Sequence, residues 1–145
     1  MAGRFNLYLI VGALVVAVAT LESPPVAIAA PAARELYVIA HTGLHVSAED
    51  VTDIYLGDKE LATGVPLEPI DNADAQLNFL AVVLKLDLRR YNALWTKKSF
   101  RDALNPPRVR SNDVEVVQAV RSTPGGIGYV SSPPTGVAII AKYSL

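Results

Sequence analysis

Cysteine is absent from the 145 residues. That excludes disulfides, a cysteine nucleophile, iron–sulfur ligation and thiolate zinc sites. Histidine is scarce: only His41 and His45 occur, four apart in "HTGLH". Gly43 and the apolar run before it mark a turn rather than a helix, so the two imidazoles need not share a face, and no third ligand is near. We expect no metal site. The serines at 99, 111, 122, 131 and 132 stand in no G-x-S-x-G elbow, and the two histidines lie far from them in sequence, so nucleophilic catalysis has little support. No catalytic residue and no enzymatic activity are expected. The glycine-rich "PGGIGYV" follows a helical pattern and precedes a strand, the reverse of what a phosphate cradle needs. Gly125 and Gly126 read as a helix stop with left-handed backbone, and Gly128 as close packing inside the strand. No cofactor is expected.

An excess of one charge is also lacking, with a formal net charge of −1. The balance hides a polarity. Between Glu35 and Asp74 nine acids face one base, Lys59; between Arg89 and Arg110 seven bases face one acid, Asp102. Such segments read as two solvated faces of opposite sign that attract each other. Tyr91, Trp95 and Phe100 interleave the basic segment, as in nucleic-acid readers. Tyr91 and Trp95, however, share a helical stripe with Leu88 and Leu94 and belong to a core, so no nucleic-acid partner is expected.

What is present begins with "MAGRFNLYLIVGALVVAVATLESPPVAIAA". A basic residue, an apolar centre from Leu7 to Leu21 and the small-residue exit Ala27-Ile28-Ala29 make a secretory signal. The apolar centre is shorter than the roughly 20 residues of a spanning helix. We expect cleavage after Ala29, because Pro31 disfavours a cut after Ala30, with residues 1–29 as signal peptide and 30–145 as one exported domain in the periplasm or outside the cell.

No internal repeat follows, and the elements alternate in type. "LYVIA" (36–40) reads as a strand buried on both faces. In "SAEDVTDIYLG", Ser47 and Asp50 form a capping pair, Val51, Ile54 and Tyr55 an apolar stripe, and Gly57 the stop. "PLEPI" (66–70) is a strand that its prolines place at or near an edge. "IDNADAQLNF" (70–79) then opens a helix, with Asp71 or Asn72 as cap and Leu77, Leu80, Ala81 and Leu84 as its apolar face. Asp74 near such a helix start reads as a dipole partner. Asp87 caps a helix carrying Leu88, Tyr91, Leu94 and Trp95, "NPPR" (105–108) is a loop, and Asn112 with Glu115 caps "DVEVVQAVRS". The strands "IGYV" (127–130) and "GVAIIA" (136–141) close the chain. The order β-α-β-α-α-α-β-β implies an α/β fold with helices on a small central sheet.

Taken in order, "VTDIYLGDKE", "PIDNADAQLNF" and "VVQAVRSTPGGIGYVSS" resemble the second lobe of the phosphate-binding proteins that serve ABC importers. The resemblance covers Leu36 to about Val130 and implies a single lobe of a periplasmic-binding-protein-like fold. In that family the strand–helix junction reads R-x-D-G-S-G-T. Aligned on Ala73-Asp74, this chain has Asn72 in place of the arginine. Ala75 and Leu77 replace the two glycines, Gln76 the serine and Asn78 the threonine. No phosphate ligand of the family is retained, and Asp71 and Asp74 would repel an anion.

The resemblance implies a solute-binding or transport-associated role in phosphate-type import. The candidate contacts are Thr42, Gly43, Asp71, Asn72, Gln76, Ser111 and Asn112, which suit a neutral polar or cationic solute at least as well as phosphate. An ABC importer or another envelope protein is the implied partner. The alternative is a cell-envelope protein–protein interaction module without a small ligand, in which a homodimer supplies the missing lobe by symmetry. A component beside an envelope redox or outer-membrane system is a third reading.

Overall fold

The computed structural model describes Pro25, Val26 and residues 34–145. The signal segment and the domain start at residue 30 lie outside them. Eleven elements and one π-helical turn follow in chain order. They are β1 (Glu35–Ala40), α1 (Asp50–Tyr55), β2 (Leu61–Ala62), β3 (Val65–Pro66), β4 (Glu68–Asn72) and α2 (Gln76–Phe79), which runs into the π turn Leu80–Leu84. After these come α3 (Leu88–Asp102), β5 (Arg108–Arg110), α4 (Asp113–Ser122), β6 (Gly126–Val130) and β7 (Ala138–Ser144).

The fold is mixed α/β, as the alternation of elements implies. One sheet has the order β5-β4-β6-β1-β7, and β2 and β3 form a separate hairpin. β4 pairs in parallel with both β5 and β6, whereas β1 runs antiparallel to β6 and β7. Strand alternation sorts the core into two faces. Leu36, Val38, Ala40, Ile127 and Tyr129 point to one, packed with Tyr55, Phe79, Leu80, Tyr91 and Trp95 from the helices α1 to α3. Tyr37, Ile39, Ile70 and Val130 point to the other, under Val116 and Val120 of α4.

Local chemistry explains most boundaries. Ser47 and Asp50 exchange reciprocal bonds ahead of α1. Asp87 accepts from Arg90 N, and Asn112 from Glu115 N, and such caps contribute about 1 kcal/mol each. Gly57 stops α1 with φ of 74°, and a Cβ there would stand 2.8 Å from the Trp95 ring, so both backbone freedom and packing require glycine.

Several expectations are corrected. Asp71 and Asn72 do not cap α2; Ala75 holds that position without a side-chain bond. Leu88, read on the buried face of α3, is exposed; in the segment before it Leu77 and Ala81 are exposed, and Phe79 takes the buried place instead. A helix of four residues running into a wider π turn does not keep the 100° stripe the pattern assumed. Arg108, read as loop, opens β5, a three-residue edge strand that the preceding prolines hid. Pro66 belongs to β3, so β4 starts at Glu68 and lies one strand in from the edge. Gly125 and Gly126 do not have left-handed backbone. They are glycines because a Cβ on Gly125 would lie 1.8 Å from the Pro66 carbonyl oxygen and one on Gly126 would lie 2.9 Å from that of Thr123. Gly128 packs as expected, 2.5 Å from a Val116 methyl by the same test. Of the opposed charge segments, Lys98–Asp58 is the pair that joins them; Lys59–Asp50 and Arg101–Asp102 each stay within one segment, and Arg90 pairs with Asp87 just before the basic one.

Gly125→Ala is expected to destabilise the domain by about 2–4 kcal/mol, since backbone cannot yield as a side chain can. Gly64→Ala, with φ of 79° but open space around it, should cost only about 1 kcal/mol. Urea unfolding of both variants checks the difference.

Candidate functional site

β4 ends in two polar residues on opposite faces of the sheet, and both are buried. Asp71 is 2% exposed and Asn72 is 0% exposed. Burying a carboxylate is costly unless its oxygens are hydrogen-bonded. Here Tyr129 Oη donates to Asp71 Oδ1 at 2.8 Å, and Tyr91 Oη donates to Oδ2 at 2.9 Å. Gln76 Nε2 donates to the same Oδ2 at 3.3 Å. Burial pushes the Asp71 carboxyl above its ordinary value, while the bonds from Tyr129, Tyr91 and Gln76 pull it back in part. Burial, reinforced by the Asp71 charge, keeps both tyrosines protonated far above their ordinary range. They therefore serve as hydrogen-bond donors to the carboxyl at neutral pH.

Aromatic packing fixes these donors. The Tyr129 and Phe79 rings stack at 3.9 Å with 1° between planes. Tyr55 leans on both, and its hydroxyl donates to the carbonyls of Ile70 and Ile127.

On the other face, Asn72 Nδ2 donates to Asp113 Oδ1 at 2.7 Å and to the Tyr129 carbonyl at 3.1 Å. Asn72 Oδ1 accepts from Asp74 N, the turn that lets the chain leave the strand. Asp113 Oδ2 accepts from Ser131 N at 3.1 Å and Ser132 N at 3.0 Å. The end of β4, the start of α4 and the chain after β6 are thus joined through side chains.

The other sequence candidates fall in two places. Ser111 and Asn112 sit at the same sheet end as Asp71, Asn72 and Gln76. Ser111 N donates to Glu115 Oε2, and Asn112 caps α4. Thr42 and Gly43 do not join them. Ala40 pairs with Ile127, which pairs with Pro69, and His41 N donates to Gly126 O. The turn after β1 therefore adjoins the start of β4, at the opposite end of the sheet. Gly43 N donates to His41 Nδ1 there. Among the described residues no three His, Cys, Asp or Glu side chains are gathered as metal ligands.

One open cleft near the strand ends, of about 570 Å³, is lined by Arg34, Glu35, Tyr37, Asn78, Ser131, Pro133 and Leu145. Because β1 is antiparallel to β6, its start arrives where β4 and β6 end. Glu35 in the rim is bound by Lys142 and by the Tyr37 hydroxyl, and both contacts lower its carboxyl from the ordinary value. Arg34, Asn78 and Ser131 were missed in the sequence, since only strand direction brings them together. Tyr91 was read as core, correctly, but its hydroxyl role needed the partner Asp71. Asp71 is 2% exposed and hydrogen-bonded on both carboxylate oxygens.

No protein-family model matches the chain, and no curated protein does. Among solved structures, an ABC-type phosphate transport receptor from Vibrio cholerae aligns over 74% of this chain and 45% of its own, with 12% identity and a TM-score of 0.49. The chain therefore spans less than half the length of that receptor.

Removing one donor from the buried carboxylate should be costly: Tyr129→Phe is expected to lose about 1.5–3 kcal/mol in urea unfolding. The Asp71 linkage has a definite sign. A raised folded value gives stability that is fully present below the unfolded value near 3.8 and is lost as pH rises through the folded one. The stability difference between native protein and Asp71→Asn, which cannot titrate, should therefore shift against the native protein from pH ~4 upward and then level off. Paired denaturation curves across pH measure it, and a flat difference contradicts the assignment.

Proposed function

We propose that the chain from about residue 30 is an exported, non-enzymatic binding module with a binding-protein-like lobe. It takes a small neutral polar solute at the strand-end cleft and does not select phosphate. One observation carries this reading. The strand-end residues Asp71 and Asn72 are turned inward and saturated, while the cleft beside them presents Arg34, Asn78 and Ser131. A free anion would find one guanidinium with Glu35 beside it, where selective oxyanion sites converge several donors. The sequence resemblance supports an ABC importer as partner, and the basic-apolar-small pattern of residues 1–29 supports export. Among the described residues no helix is long and apolar enough to cross a membrane.

A second reading rests on a separate observation. Leu77 is 67% exposed and Val114 is 76% exposed, and both stand where α2 and α4 meet the strand ends. Exposed apolar side chains at the same end of the sheet favour a protein partner, here a second copy of this chain.

Calorimetric titration distinguishes the two. Phosphate and sulfate should give no heat at millimolar concentration. A member of a panel of polyols and amides should bind, and Asn78→Leu should abolish that binding with the melting temperature unchanged. No heat from the whole panel removes the solute reading. A monomer at every concentration in light scattering removes the dimer.

A further inference from the structure

The carboxylate of Asp113 is held differently from the other paired acids. Asp50, Asp58, Asp87, Asp102 and Glu35 each meet a lysine or arginine, whereas among the described residues Asp113 meets none within ion-pair distance. Its bonds come from uncharged groups on two other parts of the chain: Asn72 Nδ2 from the end of β4, and the backbone N–H groups of Ser131 and Ser132 after β6. The Ser131 hydroxyl stands 3.4 Å from both oxygens.

This donor set does not depend on Asp113 for its aim. Asn72 is fully buried, and its amide is locked by the Tyr129 carbonyl on one side and Asp74 N on the other. Without the carboxylate, one Asn72 N–H and two consecutive backbone N–H groups would still converge on one point and lack an acceptor. Leaving the buried Asn72 N–H unpaired is costly, whereas Ser131 and Ser132 are exposed and their N–H groups can turn to water, so it is the buried amide that favours an acceptor at this position. An open cleft of about 500 Å³, lined by Asp113, Ser132, Pro133 and Thr135 among others, reaches that point from solvent.

We infer that Asp113 is the built-in occupant of a three-donor oxyanion site formed by Asn72, Ser131 and Ser132. The native chain holds this site closed to free anions by filling it with its own carboxylate. Removing the side chain opens it to a small carboxylate, with formate the closest match to the group removed. This inference is independent of the solute reading above, because the native protein is expected to bind nothing at this point.

The test is chemical rescue of Asp113→Ala. The variant should melt about 5–10 °C below the native protein. Formate at matched ionic strength should restore part of that loss where chloride does not, and should leave the native melting temperature unchanged. In ¹⁵N-edited spectra the Ser131 and Ser132 amides of the variant should shift saturably with formate, with half-saturation of ~10 mM or weaker. A folded variant that responds to formate as the native protein does, or amide shifts spread over the surface, would overturn the proposal. Should Asp113→Ala fail to fold in chloride, refolding in formate supports it and failure in both salts overturns it. Asp113→Asn is the second variant: its single amide oxygen can accept from only one of the two donor sets while its NH2 faces the other, so it should be less stable than the native protein, but the side chain still occupies the space and no formate response is expected.

Discussion

The burial of one carboxylate constrains much of this molecule. Asp71 sits at the end of a strand flanked by others, out of water, and can remain there only while Tyr91, Tyr129 and Gln76 bond to it. Those donors come from α3, β6 and α2, so meeting the carboxylate fixes three elements against the strand end. The stacked Phe79 and Tyr129 rings and the Tyr55 hydroxyl hold the donors in place. A charge at this position is a poor way to gain stability, since a well-packed apolar residue could do as well. What it gives instead is a single arrangement, because an oxygen without its donor is heavily penalised.

Asn72, its neighbour, does for the opposite face what Asp71 does for its own. Through Asp113 it ties the start of α4 to the chain leaving β6. The two residues give the strand end a polar interior, and what solvent meets there is made by other residues. Arg34, Asn78 and Ser131 are brought together by the antiparallel course of β1 and by the short helix α2.

Most of the fold was legible from one-dimensional cues. The apolar run at residues 36–40, the caps at Ser47, Asp87 and Asn112, and the stop at Gly57 each depend on chemistry within a few residues. The candidate site was less so. Asp71 looked like a helix cap because a cap is the local use of an acid beside a helix, whereas its partners lie 20 and 58 residues away. Thr42 and Gly43 were grouped with it on the expectation that strand ends share a face, and strand direction decides that. Gly125 read as a left-handed turn because the carbonyl it must clear, that of Pro66, is remote in sequence. β5 escaped notice because three residues after two prolines carry no period.

The sheet also joins the two ends of the described chain. Tyr37 pairs with Val130 on one side and with Lys142 on the other, so β1 is an interior strand whose neighbours are the last two strands of the described residues. Pairings this distant in sequence form late and slowly. A chain emerging from its amino end cannot complete the centre of its sheet until the final strand is free. Until β6 emerges β1 has no partner on either side, and until β7 follows one of its edges stays open, so its apolar residues remain uncovered for most of the time the chain takes to appear.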